Sequence, residues 1–476
     1  MLTLAQAIIK GDRALVESLL QSDEEGVNDL DEYGFTPLIE TVIMDHIGLA
    51  EYLLAQGADI EQGDVSGRTA LHWASDLDRL AFCQLFIKHN ADPNAYNRGG
   101  QSILVNPLLR RQEPIKQLLT QHGAKLSFAQ DFINTKLLGH RYQLHGDVDI
   151  VNANGDFIEL DFEGFILEFS LDVIYDSLQR YKNHFAARDL RPHFQYLDKI
   201  INAFSTASQL LKYQENVRDL ASYEYPINQL LQRELLLLPV AYRGHAVTFI
   251  KCGHFLAKCD RGENSKREGT VNIYLINNMK ALDNNFLKSM IFKRQSQKFI
   301  HHYINSELDL QPIGQLPLSA QISGNCSWAN VEAAVPTAYL LALLNEQEIN
   351  SVYENYEDLV KQVFALYQHW LAWDQDRTLY DCIQSFYQSD PAAKASKASI
   401  LAAVLFQSCD YRNPEDLIRA EKILAVLTEP DYRYVLDNYI QTYCVRRLTV
   451  KGNNLLHILD DHGIPVPQGL HKYPIK

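Results

Sequence analysis

Gly34-Phe35-Thr36-Pro37-Leu38 returns as Gly67-Arg68-Thr69-Ala70-Leu71-His72 and again as Gly100-Gln101-Ser102-Ile103-Leu104. The three glycines are 33 residues apart, and two further markers recur with them. One is Gly57-Ala58-Asp59, Asn90-Ala91-Asp92 and Gly123-Ala124-Lys125; the other is the apolar pair Leu19-Leu20, Leu53-Leu54, Leu85-Phe86 and Leu118-Leu119. A period of this length means short units that bury their apolar faces only by stacking on one another. The spacing predicts four helix pairs, near 1–32, 33–65, 66–98 and 99–126. Thr36 and Thr69 are placed to cap an inner helix, Pro37 falls where a missing N–H costs nothing, and Gly57 and Gly123 suit a left-handed helix end. The first unit lacks the Thr-Pro, and the last is worn at Ser102-Ile103 and Pro107, as terminal units often are.

This pattern resembles the ankyrin repeat, in which Gly-x-Thr-Pro-Leu-His opens an inner helix and Gly-Ala-Asp precedes a hairpin. The resemblance implies a surface of hairpin tips and inner helices that binds a protein partner. The candidate contacts are Glu61, Gln62 and Asp64 on one tip and Tyr96, Asn97 and Arg98 on the next. His72 and Trp73 read as inner-helix packing and hydrogen bonding.

The whole chain has 476 residues, enough for two or three domains. Its 44 basic against 59 acidic side chains leave a charge of −15, which argues against a broad nucleic-acid-binding face. The longest apolar runs, Leu235–Val240 and Ile400–Phe406, are too short to span a membrane and read as buried helix. Charges at Lys10, Asp12 and Arg13 arrive too early for a secretory signal peptide. The seven cysteines are odd in number and scattered, which fits a reducing compartment.

Past residue 126 the period stops. Val148–Val151 and Phe157–Phe162 flank Asn154-Gly155, a hairpin signal. Helical stretches follow near 168–184, 190–215 and 226–238, the last holding four leucines and closed by Pro239. Then come two strands around Gly253-His254, with Gly at the first central position of a type II′ turn. In that register Cys252 faces Phe255 and Val247 faces Asp260, so His245 and Asp260 share a face within side-chain reach. A third strand is expected over Thr270–Asn277. Farther on, Ser323 or Asn325 can cap a helix that starts at Cys326, where terminal N–H groups and the helix dipole favour a thiolate.

His245, Asp260, Gln321 and Cys326 therefore form a candidate constellation: Cys326 as nucleophile, His245 as its base, Asp260 orienting the imidazole, and Gln321 donating to an oxyanion. The order His–Asp–Gln–Cys resembles the clan of ubiquitin-like-protein proteases, adenovirus-type proteases and bacterial acetyltransferase effectors, over roughly 240–345. Two positions depart from that pattern. Gln321 stands five residues before Cys326 where the clan has six, and Ala246 replaces the usual Trp after the His; Asn325 is an alternative oxyanion donor. A papain-like order with His457 as base lacks a following Asn or Asp in a β context. His245, Cys252, His254 and Cys259 lie on one hairpin, but strand alternation sends them to both faces, so no metal and no cofactor is expected.

Residues 346–476 read as helices, with a single ankyrin-like trace at Gly452-Asn453-Asn454-Leu455-Leu456-His457. The expected architecture is an ankyrin solenoid over 1–126, a papain-like or ubiquitin-like-protease-like α+β domain over 127–345, and a helical region over 346–476 packed on it. Ankyrin repeats joined to such a domain resemble the ankyrin-repeat effectors that Legionella injects into host cells, of the ankyrin-H type. The resemblance implies a host protein partner, delivery into a host cell, and thiol-dependent acyl chemistry at the Cys-His-Asp site, as a protease or isopeptidase. An acetyltransferase with the same triad, or a binding effector that uses no chemistry, fits the same residues.

Overall fold

The computed structural model describes residues 3–22, 26–98, 100–144, 147–151, 157–161, 165–216, 220–242, 244–262, 265–293, 295–321, 325–348, 352–389 and 391–466. Eight short helices come first: α1 Leu4–Ile9, α2 Arg13–Gln21, α3 Pro37–Ile43, α4 Ile47–Ala55, α5 Ala70–Asp76, α6 Leu80–Lys88, α7 Val105–Leu109 and α8 Glu113–Gln121. They are the four expected pairs. Thr36 Oγ1 accepts from the Ile39 N–H, and Thr69 shares a reciprocal cap with His72. Gly57 and Gly123 adopt φ of 90° and 96°, the left-handed conformation a side chain resists.

One bond repeats with the period. Asn28, Glu61 and Asn94 accept the N–H of Asp59, Asp92 and Lys125 at 2.7, 2.7 and 2.8 Å, so each unit is tied to the next. This revises the expected contact tips. Glu61 is a tie between repeats, and Gln62 donates to the Asn28 carbonyl. Asp64 is only 6% exposed and accepts from Ser66 N, Arg68 N and the Trp73 indole, so it holds its hairpin together. Asn97 likewise accepts from Gln101 N. Tyr96 and Arg98 remain exposed.

A long helix α9, Leu126–Arg141, leads to strands β1 Asp147–Val151 and β2 Phe157–Asp161, which pair; the Asn154-Gly155 turn lies outside the described residues. Helices α10 Leu167–Asn183, α11 Phe194–Asn216 and α12 Glu224–Leu231 precede the strands β3 Leu235–Tyr242, β4 His245–Cys252 and β5 Phe255–Cys259. The short α13 Ser265–Glu268, β6 Val271–Ile276, α14 Asn284–Phe292, α15 Ile304–Glu307 and β7 Leu310–Gln315 follow. The last helices are α16 Cys326–Leu344, α17 Val352–Gln388, α18 Pro391–Ser408, α19 Pro414–Leu427, α20 Arg433–Ile440 and α21 Val450–Asp461.

Strands β3 to β7 form one antiparallel sheet in sequence order. The run Leu235–Leu238, expected as helix, is strand β3. An apolar run with no period does not distinguish a buried strand from a buried helix, and here a facing strand, β4, decides it. Pro239 fits because β3 is an edge strand, where a missing N–H leaves no ladder bond unmade. Cys252 pairs with Phe255 and Thr248 with Cys259, and Gly253 turns with φ of 54°.

The chain divides into two compact units, one of residues 1–139, 148–160 and 380–476, the other of 140–147 and 161–379. The expected 346–476 region is thereby split. Helix α17 has 37 residues, about 55 Å at 1.5 Å per residue, and one domain core cannot cover that length. Its Trp370 bonds Ser177 in the second unit, and its Phe386 packs on Tyr432 in the first. Among the described residues no helix is long and apolar enough to cross a membrane.

Replacing Asp64 by Ala leaves four donors, Ser66 N–H and hydroxyl, Arg68 N–H and the Trp73 indole, without their acceptor and should cost about 2–3 kcal/mol. Hydrogen exchange over residues 60–75 should then speed up, whereas Arg98→Glu should leave exchange unchanged; equal protection in Asp64→Ala would contradict the structural role assigned here.

Candidate functional site

Three segments of the second unit meet at Cys326. Strand β4 opens with His245, the segment after β5 carries Asp260, and α16 starts at Cys326. Residues Ser327 to Leu344 of α16 are buried throughout, so this helix is fixed on every side rather than along one stripe.

His245 Nε2 lies 2.9 Å from Asp260 Oδ1, and the imidazole also hydrogen-bonds the Cys326 sulfur. The Ala246 N–H reaches Cys326 Sγ at 3.4 Å, and the Ser327 N–H adds a second backbone donor. Burial alone would raise the Cys326 thiol, but these donors and the His245 charge bring it below the ordinary value. Hydrogen bonds to Asp260 and to Cys326 push His245 up to about 9, against a smaller opposing effect of burial. Burial works against the Asp260 charge, and the bond from His245, its charge and the Gly262 N–H outweigh it. The six other cysteines are buried, which drives their thiols up to about 12, or about 11 for Cys444.

Asn330 is fully buried, donates to the Ala246 carbonyl at 2.6 Å and accepts the Arg261 N–H at 2.8 Å. Arg261 is itself buried, binding the Ser319 carbonyl at 2.7 Å and Glu332 at 3.3 Å. Behind Asp260, His301 lies 3.9 Å from its Oδ2 and 3.0 Å from the Tyr242 hydroxyl. Burial, and next the charge of Lys258, lower the His301 pKa. Gly262 packs against the imidazole: a Cβ there would sit 2.5 Å from His245 Cε1.

Of the sequence-predicted residues, Cys326, His245 and Asp260 come together. Gln321 donates its backbone N–H to the Arg261 carbonyl at 2.7 Å, while its side-chain Oε1 is buried without a partner among the described residues. Asn325 occupies the cap position of α16 but makes no side-chain cap bond, and its Oδ1 is also unpartnered. Ser323 lies outside the described residues. His457 belongs to the other unit and stacks on Tyr411. Among the described residues no group of three or more His, Cys, Asp or Glu side chains is arranged to hold a metal ion. Sequence reasoning missed Asn330, Gly262 and His301. Asn330 had a visible signal, a polar residue inside the apolar helix Cys326–Leu344; the other two had none.

The fold defines an ankyrin-repeat protein with a second, sheet-containing unit. A family model described as ankyrin repeats, three copies, matches residues 4–97, and such repeats are protein–protein interaction modules. Inversin of Gallus gallus is 36% identical over 81 residues, and BCL-6 corepressor-like protein 1 of Homo sapiens is 28% identical over 123. These matches cover 17% and 26% of this chain, and the chain spans only 7% of either relative. The likeness to the solved structure of the Legionella effector AnkH runs far beyond the repeats: 48% identity, 99% of this chain and 100% of that one, with a TM-score of 0.66. The chain belongs to the AnkH family of Legionella effectors.

Gly262→Ala should force the imidazole away from Asp260 while leaving the sheet intact. Alkylation of Cys326 by iodoacetamide at pH 6, followed by mass spectrometry, should slow about tenfold; an unchanged rate would show that His245 is not held by this contact.

Proposed function

We propose that this chain acts in host cells as a thiol-dependent acyl-transfer effector, a protease or isopeptidase, with its ankyrin repeats binding a host protein. One observation carries the chemical part: Cys326 alone among seven cysteines is drawn below its ordinary pKa, and the group that does it is a histidine oriented by a carboxylate. Delivery into a host cell follows the kinship with a Legionella effector.

In this reading Cys326 and His245 rest as thiolate and imidazolium. The thiolate attacks an acyl carbon, forming a C–S bond and an oxyanion. The Cys326 backbone N–H at the start of α16 faces that charge, with Gln321 or Asn325 as the side-chain donor. His245 then gives its proton to the leaving amine as the C–N bond breaks, leaving a thioester. Water, deprotonated by His245, attacks the thioester, the C–S bond breaks to release the acid, and the thiolate–imidazolium pair is restored. Asp260 keeps the imidazole in place and stabilises its charge throughout.

The pH dependence follows from the signs. The ion pair exists between the depressed Cys326 pKa and the raised His245 pKa of about 9. His245 also stabilises the fold fully below the ordinary imidazole value, and this contribution is lost as pH rises through about 9.

Cys326 should therefore alkylate about tenfold faster than any other cysteine at pH 6, where an ordinary thiol is almost wholly protonated. His245→Ala should move its alkylation profile toward ordinary thiol pH, and Asp260→Asn should move it part of the way. Combining the two should add little, as for groups that act as one unit. An ordinary thiol profile that His245→Ala leaves in place would remove the catalytic reading and leave a binding effector.

A further inference from the structure

The 33-residue register makes the repeats controls for one another. Asp31, Asp64 and Asn97 occupy one place in successive repeats, and Glu40, Trp73 and Asn106 occupy another. The first set ties the hairpins in the same way. Asp31 Oδ1 accepts from Tyr33 N and Phe35 N, Asp64 Oδ1 from Ser66 N and Arg68 N, and Asn97 Oδ1 from Gln101 N. Asp64 has a second oxygen, and the Trp73 indole donates to it at 3.0 Å.

One repeat earlier the donor is gone. Glu40 stands in the tryptophan's place, and an ionised carboxylate only accepts. Asp31 Oδ2 and Glu40 Oε2 are both buried with no donor from any other described residue, so only a proton shared between the two carboxyls joins them. Glu40 is only 4% exposed, on the inner helix α3. Two carboxyls out of water are unfavourable unless a donor joins them. Burial first, then the hydrogen bond and charge of Asp31, push Glu40 up to about 7, so the empty pair retains a proton near neutrality.

The pair lines a cavity of about 320 Å3 between the first two repeats. Ile9, Leu30, Tyr33 and Phe35 contribute apolar walls, Asp29 and Glu32 add acidic side chains, and among the described residues none that lines it is basic. Ile9, Leu30 and Tyr33 are exposed although apolar or aromatic, with Tyr33 67% open. We propose that this cavity docks an arginine side chain of a protein partner, its guanidinium between Asp31 Oδ2 and Glu40 Oε2 and its stem against Tyr33 and Phe35. A guanidinium suits the site because it is flat, carries a fork of donors for two carboxylates, is weakly hydrated and packs on aromatic faces. The inference rests on the partner-binding reading of the repeats and names the chemistry that one part of them recognises.

The test uses the full chain and three probes: acetyl-arginine amide, acetyl-lysine amide and the neutral acetyl-norleucine amide, followed by saturation-transfer NMR. Wild type should bind the arginine probe more tightly than the lysine probe and the norleucine probe least. Glu40→Gln removes the charge and supplies an amide donor to Asp31. Glu40→Trp installs the residue that the next repeat already accommodates. Both variants should fold, melt at a higher temperature than wild type, and bind the arginine probe about tenfold more weakly or worse, the loss expected for one charge-assisted bond. Arginine binding no better than norleucine, lysine binding at least as tight as arginine, or full arginine binding by Glu40→Gln would each overturn the proposal. A partner held elsewhere on the repeats would give those negative results and still bind the Glu40→Gln chain in solution, which separates this failure from failure of the partner-binding reading.

Discussion

Everything at the candidate site depends on the amide of Asn330. Its N–H group meets the Ala246 carbonyl and its oxygen meets the Arg261 N–H. Ala246 follows His245, Arg261 follows Asp260, and Asn330 lies about one helical turn beyond Cys326. A single side chain therefore sets where three segments from distant parts of the sequence lie. Only an amide offers a donor and an acceptor at that size without charge. An aspartate could not donate, and a leucine would leave two buried backbone groups unpaired. The positions of the reacting groups thus follow from a requirement on the backbone and need no attraction among the three side chains themselves.

The electrostatics come after that geometry. Cys326 is half-buried yet holds a lowered pKa, because donors were fixed around it before the charge forms. Cys259, on the neighbouring strand, has the same chemistry and the opposite outcome: its nearest polar partner is the Thr337 hydroxyl, and burial drives it to about 12. The difference lies in what the backbone places beside each sulfur. Buried charge elsewhere in this unit serves the same positioning. Arg261 and Glu332 form a buried pair whose net stabilisation is small once desolvation is counted, but the guanidinium also binds the Ser319 carbonyl and so fixes the segment that follows Asp260.

What the sequence made legible was what is local or periodic. The repeats could be read because three markers share a step, and the Gly253 turn because glycine at that place admits few turn types. The facing of His245 and Asp260 then followed from strand parity. Legibility ended where tertiary partners decide. Leu235–Leu238 has no period, and its strand state depends on β4. The division of α17 between two units depends on which side chains it meets, Ser177 and Tyr181 near one part and Tyr432 near the other. Gly262 carries no local mark at all: its need for a bare Cα comes from an imidazole 17 residues away in the chain, at His245.

The hairpin tips show why a polar residue on a turn of a repeat need not be a free one. Glu61, Asp64 and Asn97 are polar and sit on turns, which suggested contacts with a partner. Their acceptors are already filled by backbone N–H groups of the array. A hydrogen-bond acceptor filled inside the fold has little left to offer a ligand, and removing it harms folding first. The converse holds at Asp31 and Glu40, which were not singled out by their sequence context. The same turn is built there, the same place on α3 is occupied, and the donor that closes the arrangement one repeat later is missing. In a periodic array an unfilled acceptor can be recognised against its own neighbours, so the departure from the repeat, rather than the repeat itself, marks where this surface is specific.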